Sequence, residues 1–139
     1  MNKLDYALDK LKGVKGYDGV LEEIKKGKSG TPYEAIVVAE KCNVDEIVEL
    51  SKDGIKTSRG PTEADIITMD KVIECKGGDV LKDWNRFTRQ LSKLSEYAKN
   101  NNKKLVYYFR LKPDDKVIKK LNKAKSKYGV DIEYHVYNP

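Results

Sequence analysis

Histidine, cysteine and long apolar runs are scarce in this 139-residue chain, and each scarcity excludes a class of function. A single histidine, His135, is too few for a His-rich metal site and makes a Ser-His-Asp triad improbable. Two cysteines, Cys42 and Cys75, supply neither a disulfide framework nor a zinc site. No apolar stretch approaches the roughly 20 residues that cross a bilayer. Any catalysis must therefore rely on carboxylates and lysines, whose usual metal partners are hard cations.

Charge is plentiful, and its balance is basic. Charged residues make up 36% of the chain, and the net charge is +6. The excess is concentrated between Lys82 and Lys127, where fifteen lysines and arginines face four acidic residues. Such a surface is able to bind backbone phosphates without reading sequence, although lysine-rich surfaces also serve solubility alone. The first residues lack the apolar core of a secretory signal, so we expect no signal peptide.

The order of helical and strand-like segments indicates the fold class. After residue 28 the pattern predicts α-β-β-β-α-β-α-β, an antiparallel meander followed by a β-α-β-α-β tail. This order is typical of an α/β or α+β protein around one mixed sheet. Residues 1–28 contain two short leucine-striped helical pieces broken by glycines. We interpret them as an N-terminal helical extension or linker, which leaves residues 29–139 as the main domain.

A helix is expected over about residues 28–43, with a well-defined start. Thr31 is placed to cap it, Pro32 suits its first helical position, and Glu34 follows three residues after the cap. This spacing is that of a capping box, in which Glu34 would bond the backbone of the cap residue.

The stretch EADIITMDKVIECKGG, residues 63–78, carries acids where a strand could have been apolar. If residues 68–71 form a tight hairpin turn, Ile67 pairs with Val72 and Asp65 lies opposite Glu74. Strand side chains alternate, so Lys76 shares the face of Glu74. The opposite face is expected to pack the core with three side chains, Ile66, Ile73 and Cys75.

Two opposed carboxylates repel each other, and the repulsion destabilises a hairpin unless something offsets it. A divalent cation held between Asp65 and Glu74 would do so, and the ammonium of Lys76 would help. The alternative is a solvated sheet face on which Lys76 forms a cross-strand ion pair.

This spacing resembles the PD-(D/E)XK motif of the restriction-endonuclease-like nucleases: Asp65 is followed by eight residues and then by Glu74-Cys75-Lys76. The resemblance implies an αβββαβ core over about residues 30–137, with helices on both faces of the sheet. Position 64 is alanine, where the family name places proline. The residue between Glu74 and Lys76 is expected to point into the core, so cysteine is unremarkable there.

Within that superfamily the chain most resembles the C-terminal nuclease domains of bacterial polymorphic toxins, including contact-dependent-inhibition toxins. The similarity lies in EADIIT…KVIECKGG, in RQLSKLSEYAK before KLVYYFR, and in the final VDIEYHVY. It implies a monomeric endonuclease that hydrolyses RNA, tRNA among the candidates, or DNA. It further implies delivery into the cytoplasm of a target cell as part of a larger secreted protein, and neutralisation by a cognate immunity protein.

Two other functions remain open at this point. Archaeal Holliday-junction resolvases look similar in core and size, and that resemblance would imply a homodimer that cuts four-way DNA junctions. A non-catalytic nucleic-acid-binding module on the same fold is the other alternative. The complete set of two acids and a lysine favours an enzyme.

The resemblance assigns roles to the motif residues. Asp65, Glu74 and the backbone carbonyl of Cys75 are expected to hold a divalent metal, with Mg²⁺ as the first choice and Mn²⁺ or Zn²⁺ as alternatives. Lys76 is expected to orient or deprotonate the attacking water. The two carboxylates beside it stabilise its charged form, which favours the orienting role.

A glutamate from the first helix usually joins the catalytic set of such nucleases. Glu34 matches that placement, although the capping box described above explains it equally well. Glu40 is the fallback, because it shares a helix side with apolar residues.

Four further residues are candidates for substrate binding or positioning. Gln90, on the helix after the motif, is expected to place the lysine or to contact substrate. Arg59, in the loop before Asp65, is a candidate phosphate contact. Arg86 and Arg89 lie on the same helix as Gln90 and belong to the basic segment. Each of the four is also explained as a solvated surface residue.

Overall fold

Five α-helices surround a five-stranded mixed sheet in the computed structural model, which describes residues 2–139. The helices are α1 Lys3–Leu11, α2 Tyr17–Lys25, α3 Thr31–Lys41, α4 Trp84–Asn100 and α5 Asp115–Tyr128. The strands are β1 Ile47–Ile55, β2 Thr62–Thr68, β3 Lys71–Lys76, β4 Lys104–Phe109 and β5 Ile132–Val136. Short 3₁₀ turns, Val44–Glu46 and Val80–Asp83, precede β1 and α4.

The sheet has the strand order β1-β2-β3-β4-β5. The first three strands form an antiparallel meander, and β3, β4 and β5 run parallel to one another. The parallel strands need crossover connections, which α4 and α5 supply. The predicted α/β class, the element order and the mixed sheet are therefore confirmed.

The β2–β3 hairpin has the register that the sequence predicts. Ile67 lies opposite Val72, and Ile66 lies opposite Ile73. The Thr68 hydroxyl accepts a hydrogen bond of 2.9 Å from the Lys71 backbone N–H and so closes the two-residue loop. Because the loop length fixes the pairing, the faces of all the following side chains are fixed too.

Helices cover both faces of the sheet and enclose two apolar cores. One core joins Ile67 and Val72 to the buried stripes of α4 and α5, such as Leu94 and Leu121. The other core joins Ile66, Ile73 and Cys75 of the sheet to the helices α1, α2 and α3. The predicted inward face of the hairpin is therefore confirmed, and Glu74 lies on the face turned toward α4.

The two N-terminal helices pack into the second core. Ala7, Leu11 and Val20 are buried there. The carbonyl of Lys15 accepts a hydrogen bond of 2.8 Å from the Leu50 N–H on β1. The following residue, Gly16, has φ +90°, and a Cβ at that position would lie 2.0 Å from a backbone oxygen of β1. A division of the chain at residue 28 stays a prediction.

One local expectation differs from the structure. The helix α3 begins at Thr31 with Gly30 at the N-cap and no side-chain cap, so the predicted capping box is wrong. The hydroxyl of Thr31, which is fully buried, instead donates a hydrogen bond of 2.8 Å to Glu23. Burial of the hydroxyl against a partner from α2 outweighs its use as a cap.

The strand β1 continues through the polar residues 51–54 to Ile55. An edge strand with one neighbour does not need apolar residues throughout. No helix within residues 2–139 has the length and apolar character needed to cross a membrane.

Candidate active site

The strands β2 and β3 are joined by side chains where their backbone pairing ends. The Asp65 N–H donates to Glu74 Oε1 at 2.8 Å, and the Cys75 N–H donates to Asp65 Oδ2 at 2.8 Å. Each carboxylate thus accepts from the opposite strand, as a ladder carbonyl would. The predicted opposition of Asp65 and Glu74 is present as this reciprocal pair of hydrogen bonds, which holds both acids in fixed positions.

Glu74 is the most deeply buried acid of the pair, with 1% of its surface exposed. Its second oxygen, Oε2, has no hydrogen-bond partner and lies 3.4 Å from Lys76 Nζ. Burial, and then the charge of Asp65, raises the pKa of Glu74. Burial likewise raises the pKa of Asp65, and the nearby ammonium of Lys76 opposes that shift.

Lys76 is held by the helix that follows it. Its Nζ donates a hydrogen bond of 2.7 Å to Gln90 Oε1 on α4. Since the ammonium also lies beside Glu74, it is fixed between the Gln90 amide oxygen and the Glu74 carboxyl group. This geometry suits a positively charged group that orients a neighbour, which is the role the sequence favours.

Glu34 reaches the same site from α3. Its side chain and that of Asp65 line the same small cavity. Burial, followed by the charge of Asp65, raises the pKa of Glu34. With the capping box absent, Glu34 lies beside Asp65, and the charge of Glu74 acts on it more weakly. Glu40, the fallback, instead forms an ion pair with Lys3 at 3.5 Å.

The available oxygens fit a hard cation. Asp65 and Glu74 each commit one oxygen to a backbone N–H, and the buried Glu74 Oε2 remains without a hydrogen bond. Within residues 2–139 no three or more His, Cys, Asp or Glu side chains are arranged as a ligand set. Two carboxylates and the Cys75 carbonyl do not require such a set, and oxygen ligands of this kind suit Mg²⁺ or Mn²⁺.

A cavity of about 450 Å³ opens beside Gln90. The helix α4 contributes one face to it, because Arg86, Arg89, Gln90 and Lys93 recur at helical spacing. Arg86 also lies 4.0 Å from Glu63 on the opposite wall. The cavity therefore joins a cationic wall to the residue that holds Lys76.

Arg59 is not among the residues that line this cavity. Its guanidinium forms an ion pair of 3.0 Å with Glu96 and lies 5.1 Å from the centre of the Tyr128 ring. Glu96 is on α4 and Tyr128 is on α5, so Arg59 holds its loop against both helices. Its predicted phosphate contact stays untested, and the ion pair competes with it.

Sequence reasoning missed several residues around the site. Lys93 lines the cavity beside Gln90. Its position three residues after Gln90 places it on the same side of the helix, which could have indicated this. A smaller cavity of about 70 Å³ brings Asp53 and Glu23 to the neighbourhood of Glu34 and Asp65. No local pattern marks these two acids, because they come from an edge strand and from the N-terminal segment.

Comparison with known proteins adds no relative. No protein-family model, no curated protein and no solved structure matches this chain. The chemistry of the site therefore rests on its own geometry.

Proposed function

We propose that the protein is a divalent-metal-dependent endonuclease that hydrolyses phosphodiester bonds in RNA or DNA. The observation that carries the proposal is the convergence of Asp65, Glu74 and Lys76 at the diverging ends of β2 and β3. Two acids held by each other's backbone, with a lysine fixed by Gln90, form a rigid acidic centre next to a cavity with a basic wall. Rigid placement of this kind is what catalysis of phosphoryl transfer needs.

Each residue of the site would have a separate role. Asp65, Glu74 and the Cys75 carbonyl would hold the cation, with Glu34 as a further acid on the α3 side. When bound, the divalent cation would neutralise charge on the scissile phosphate and lower the pKa of the attacking water. Lys76 would orient that water while Gln90 keeps the ammonium in place.

The basic wall of the larger cavity supports a polyanionic substrate. Arg86, Arg89 and Lys93 are suited to backbone phosphates on one side of the cleavage point. Such contacts fix the position of a strand and carry no base sequence, so they fit RNA and DNA alike.

The resemblance to polymorphic-toxin nuclease domains supports a biological setting for this activity. The proposed enzyme would act in the cytoplasm of a target cell after delivery within a larger secreted protein. A cognate immunity protein would bind it, and the basic surface near the site is the docking face that charge complementarity favours. A complex that does not weaken with salt would contradict that docking face.

The test uses purified protein with tRNA, duplex DNA and four-way junction DNA, each with Mg²⁺, Mn²⁺ or Zn²⁺ and with a chelator. We expect metal-dependent cleavage of at least one substrate. Lys76→Ala and Asp65→Ala should abolish it, whereas Lys71→Ala, a matched change on the same strand, should cleave normally.

Other outcomes identify the alternatives. Salt-dependent binding without strand breaks under any metal would indicate a non-catalytic module. Preference for junctions by a homodimer would indicate a resolvase-like enzyme, and light scattering measures the oligomeric state. Full activity of Lys76→Ala would show that the site is assigned wrongly.

A further inference from the structure

Two buried side-chain oxygens within residues 2–139 have no hydrogen-bond partner, and they belong to neighbouring residues. One is Glu74 Oε2 and the other is the hydroxyl of Tyr107, whose side chain is fully buried. Tyr107 pairs with Glu74 in the parallel register of β3 and β4. Residues paired in this way project to the same face from strands about 4.8 Å apart. The two unsatisfied atoms therefore share one small region of the core.

The Tyr107 ring cannot turn its hydroxyl to water. Phe87 on α4 packs edge-to-face against it at 5.7 Å, and Phe109 stacks on it at 5.8 Å. A buried hydroxyl without a partner costs about 1–3 kcal/mol, so phenylalanine would suit a purely apolar position better. Burial, and then the charge of Glu74, raises the pKa of Tyr107. The hydroxyl therefore keeps its proton and is able to donate.

Glu74 Oε2 is the complementary acceptor. The opposite oxygen is committed to the Asp65 N–H, which fixes the carboxylate without satisfying Oε2. The nearby Lys76 lies at 3.4 Å and already donates to Gln90. A shift of the Tyr107 side chain toward Oε2, or one bridging water, would connect the two atoms that lack partners.

We infer that the Tyr107 hydroxyl donates a hydrogen bond to Glu74 Oε2 and so acts as a positioning residue for this carboxylate. The inference of this contact rests on the strand register and on the two buried atoms that lack partners. Its consequence for a bound cation rests on the function proposed above. Partners that orient a ligating carboxylate typically change metal affinity or activity by about 10–100-fold when removed.

The test compares Tyr107→Phe with wild type in two measurements, with Tyr108→Phe as the matched control. Tyr108 is the next residue on the same strand, but it faces the other core and stacks on His135 at 5.1 Å. The first measurement is the unfolding equilibrium in a chelator above pH 8, where the Glu74 carboxyl is ionised and Oε2 is an acceptor. The second is the Mg²⁺ or Mn²⁺ concentration that gives half of the maximal thermal stabilisation, with cleavage followed in parallel.

We expect Tyr107→Phe to lower the folding equilibrium constant on the order of tenfold without metal, because a buried carboxylate oxygen loses its donor. We also expect the half-saturating metal concentration to rise about 10–100-fold. Tyr108→Phe should change neither quantity by more than about twofold. If Tyr107→Phe is as stable as wild type, or more stable, and needs the same metal concentration, the hydroxyl has no such role.

The two proposals fail separately. In one outcome, wild type shows neither metal-dependent stabilisation nor cleavage while Tyr107→Phe is destabilised in the chelator. That result would support the contact and contradict the nuclease function. If wild type cleaves and Tyr107→Phe matches it in both measurements, the nuclease function stands and the positioning role falls.

Discussion

Replacement of the buried Glu74 by glutamine tests the electrostatics of the site in metal-free protein. Burial, followed by the charge of Asp65, raises the pKa of Glu74 from 4.5 to about 8. Between these values the folded protein keeps a proton that the unfolded chain releases. The stability linked to this proton is therefore complete below pH 4.5 and is lost as the pH rises through about 8.

The size of the effect follows from the shift. Each pH unit in this window lowers the free energy of unfolding by about 1.4 kcal/mol, so the loss at pH 7 is on the order of 3 kcal/mol. Glutamine keeps an oxygen for the Asp65 N–H but has no titration of its own. We expect wild type to lose stability relative to Glu74→Gln between about pH 5 and pH 8, and the difference to stay constant above that range.

The assay is urea unfolding in a chelator at several pH values, followed by the fluorescence of Trp84, the single tryptophan. Glu133→Gln, a change at a half-exposed glutamate on β5, serves as the control and should follow wild type. Added Mg²⁺ should stabilise wild type more at pH 8 than at pH 5, since the cation needs the ionised acid. Parallel stability curves of wild type and Glu74→Gln across this range would refute the reasoning.

Three other substitutions address the lysine, the N-terminal segment and the basic cavity. If the proposed nuclease function holds, Gln90→Ala should lower kcat about tenfold or more and leave KM within about twofold, because the substitution frees the Lys76 ammonium; unchanged cleavage kinetics would show that Gln90 is dispensable. Gly16→Ala should lower the free energy of unfolding by about 3 kcal/mol or more, because of left-handed backbone strain and a clash with β1. Gly13→Ala, at φ +86° in open space, should lower it by about 1 kcal/mol, as denaturant titrations would measure. Equal costs would contradict the docking of that turn. Arg89→Ala should reduce the salt slope of nucleic-acid binding by about 1, and Lys12→Ala, at the end of α1, should leave it unchanged; equal slopes for the two variants would argue against the cavity as a phosphate site.

The hairpin was predictable because local rules determine it. A two-residue loop fixes which residues face each other, and alternation then assigns every side chain to a face. Both observed pairs, Ile66 with Ile73 and Ile67 with Val72, follow from that rule. The rule could not show that the carboxylates of Asp65 and Glu74 replace ladder carbonyls where the strands diverge, since that depends on side-chain rotamers.

The role of Glu34 could not be decided from its neighbours in sequence. Its place near the start of the helix fits a capping box with Thr31 and also fits the further acid of the proposed nuclease site. The outcome depends on a residue from another helix, because Glu23 accepts the Thr31 hydroxyl that would otherwise cap α3. Tertiary burial thus overrode a local motif, and it left Glu34 free to meet Asp65.

That contact also bears on the role of the N-terminal segment. Thr31 is fully buried, so its hydroxyl needs the partner that Glu23 on α2 provides. The hydrogen bond fixes the first turn of α3, and Glu34 lies in that turn. The charge of Glu23 adds to burial and to Asp65 in raising the pKa of Glu34. A division at residue 28 would therefore separate Glu23 from Thr31 and remove a contact that helps to place Glu34 in the candidate site. Removal of residues 1–28 would change that site as well as the second core.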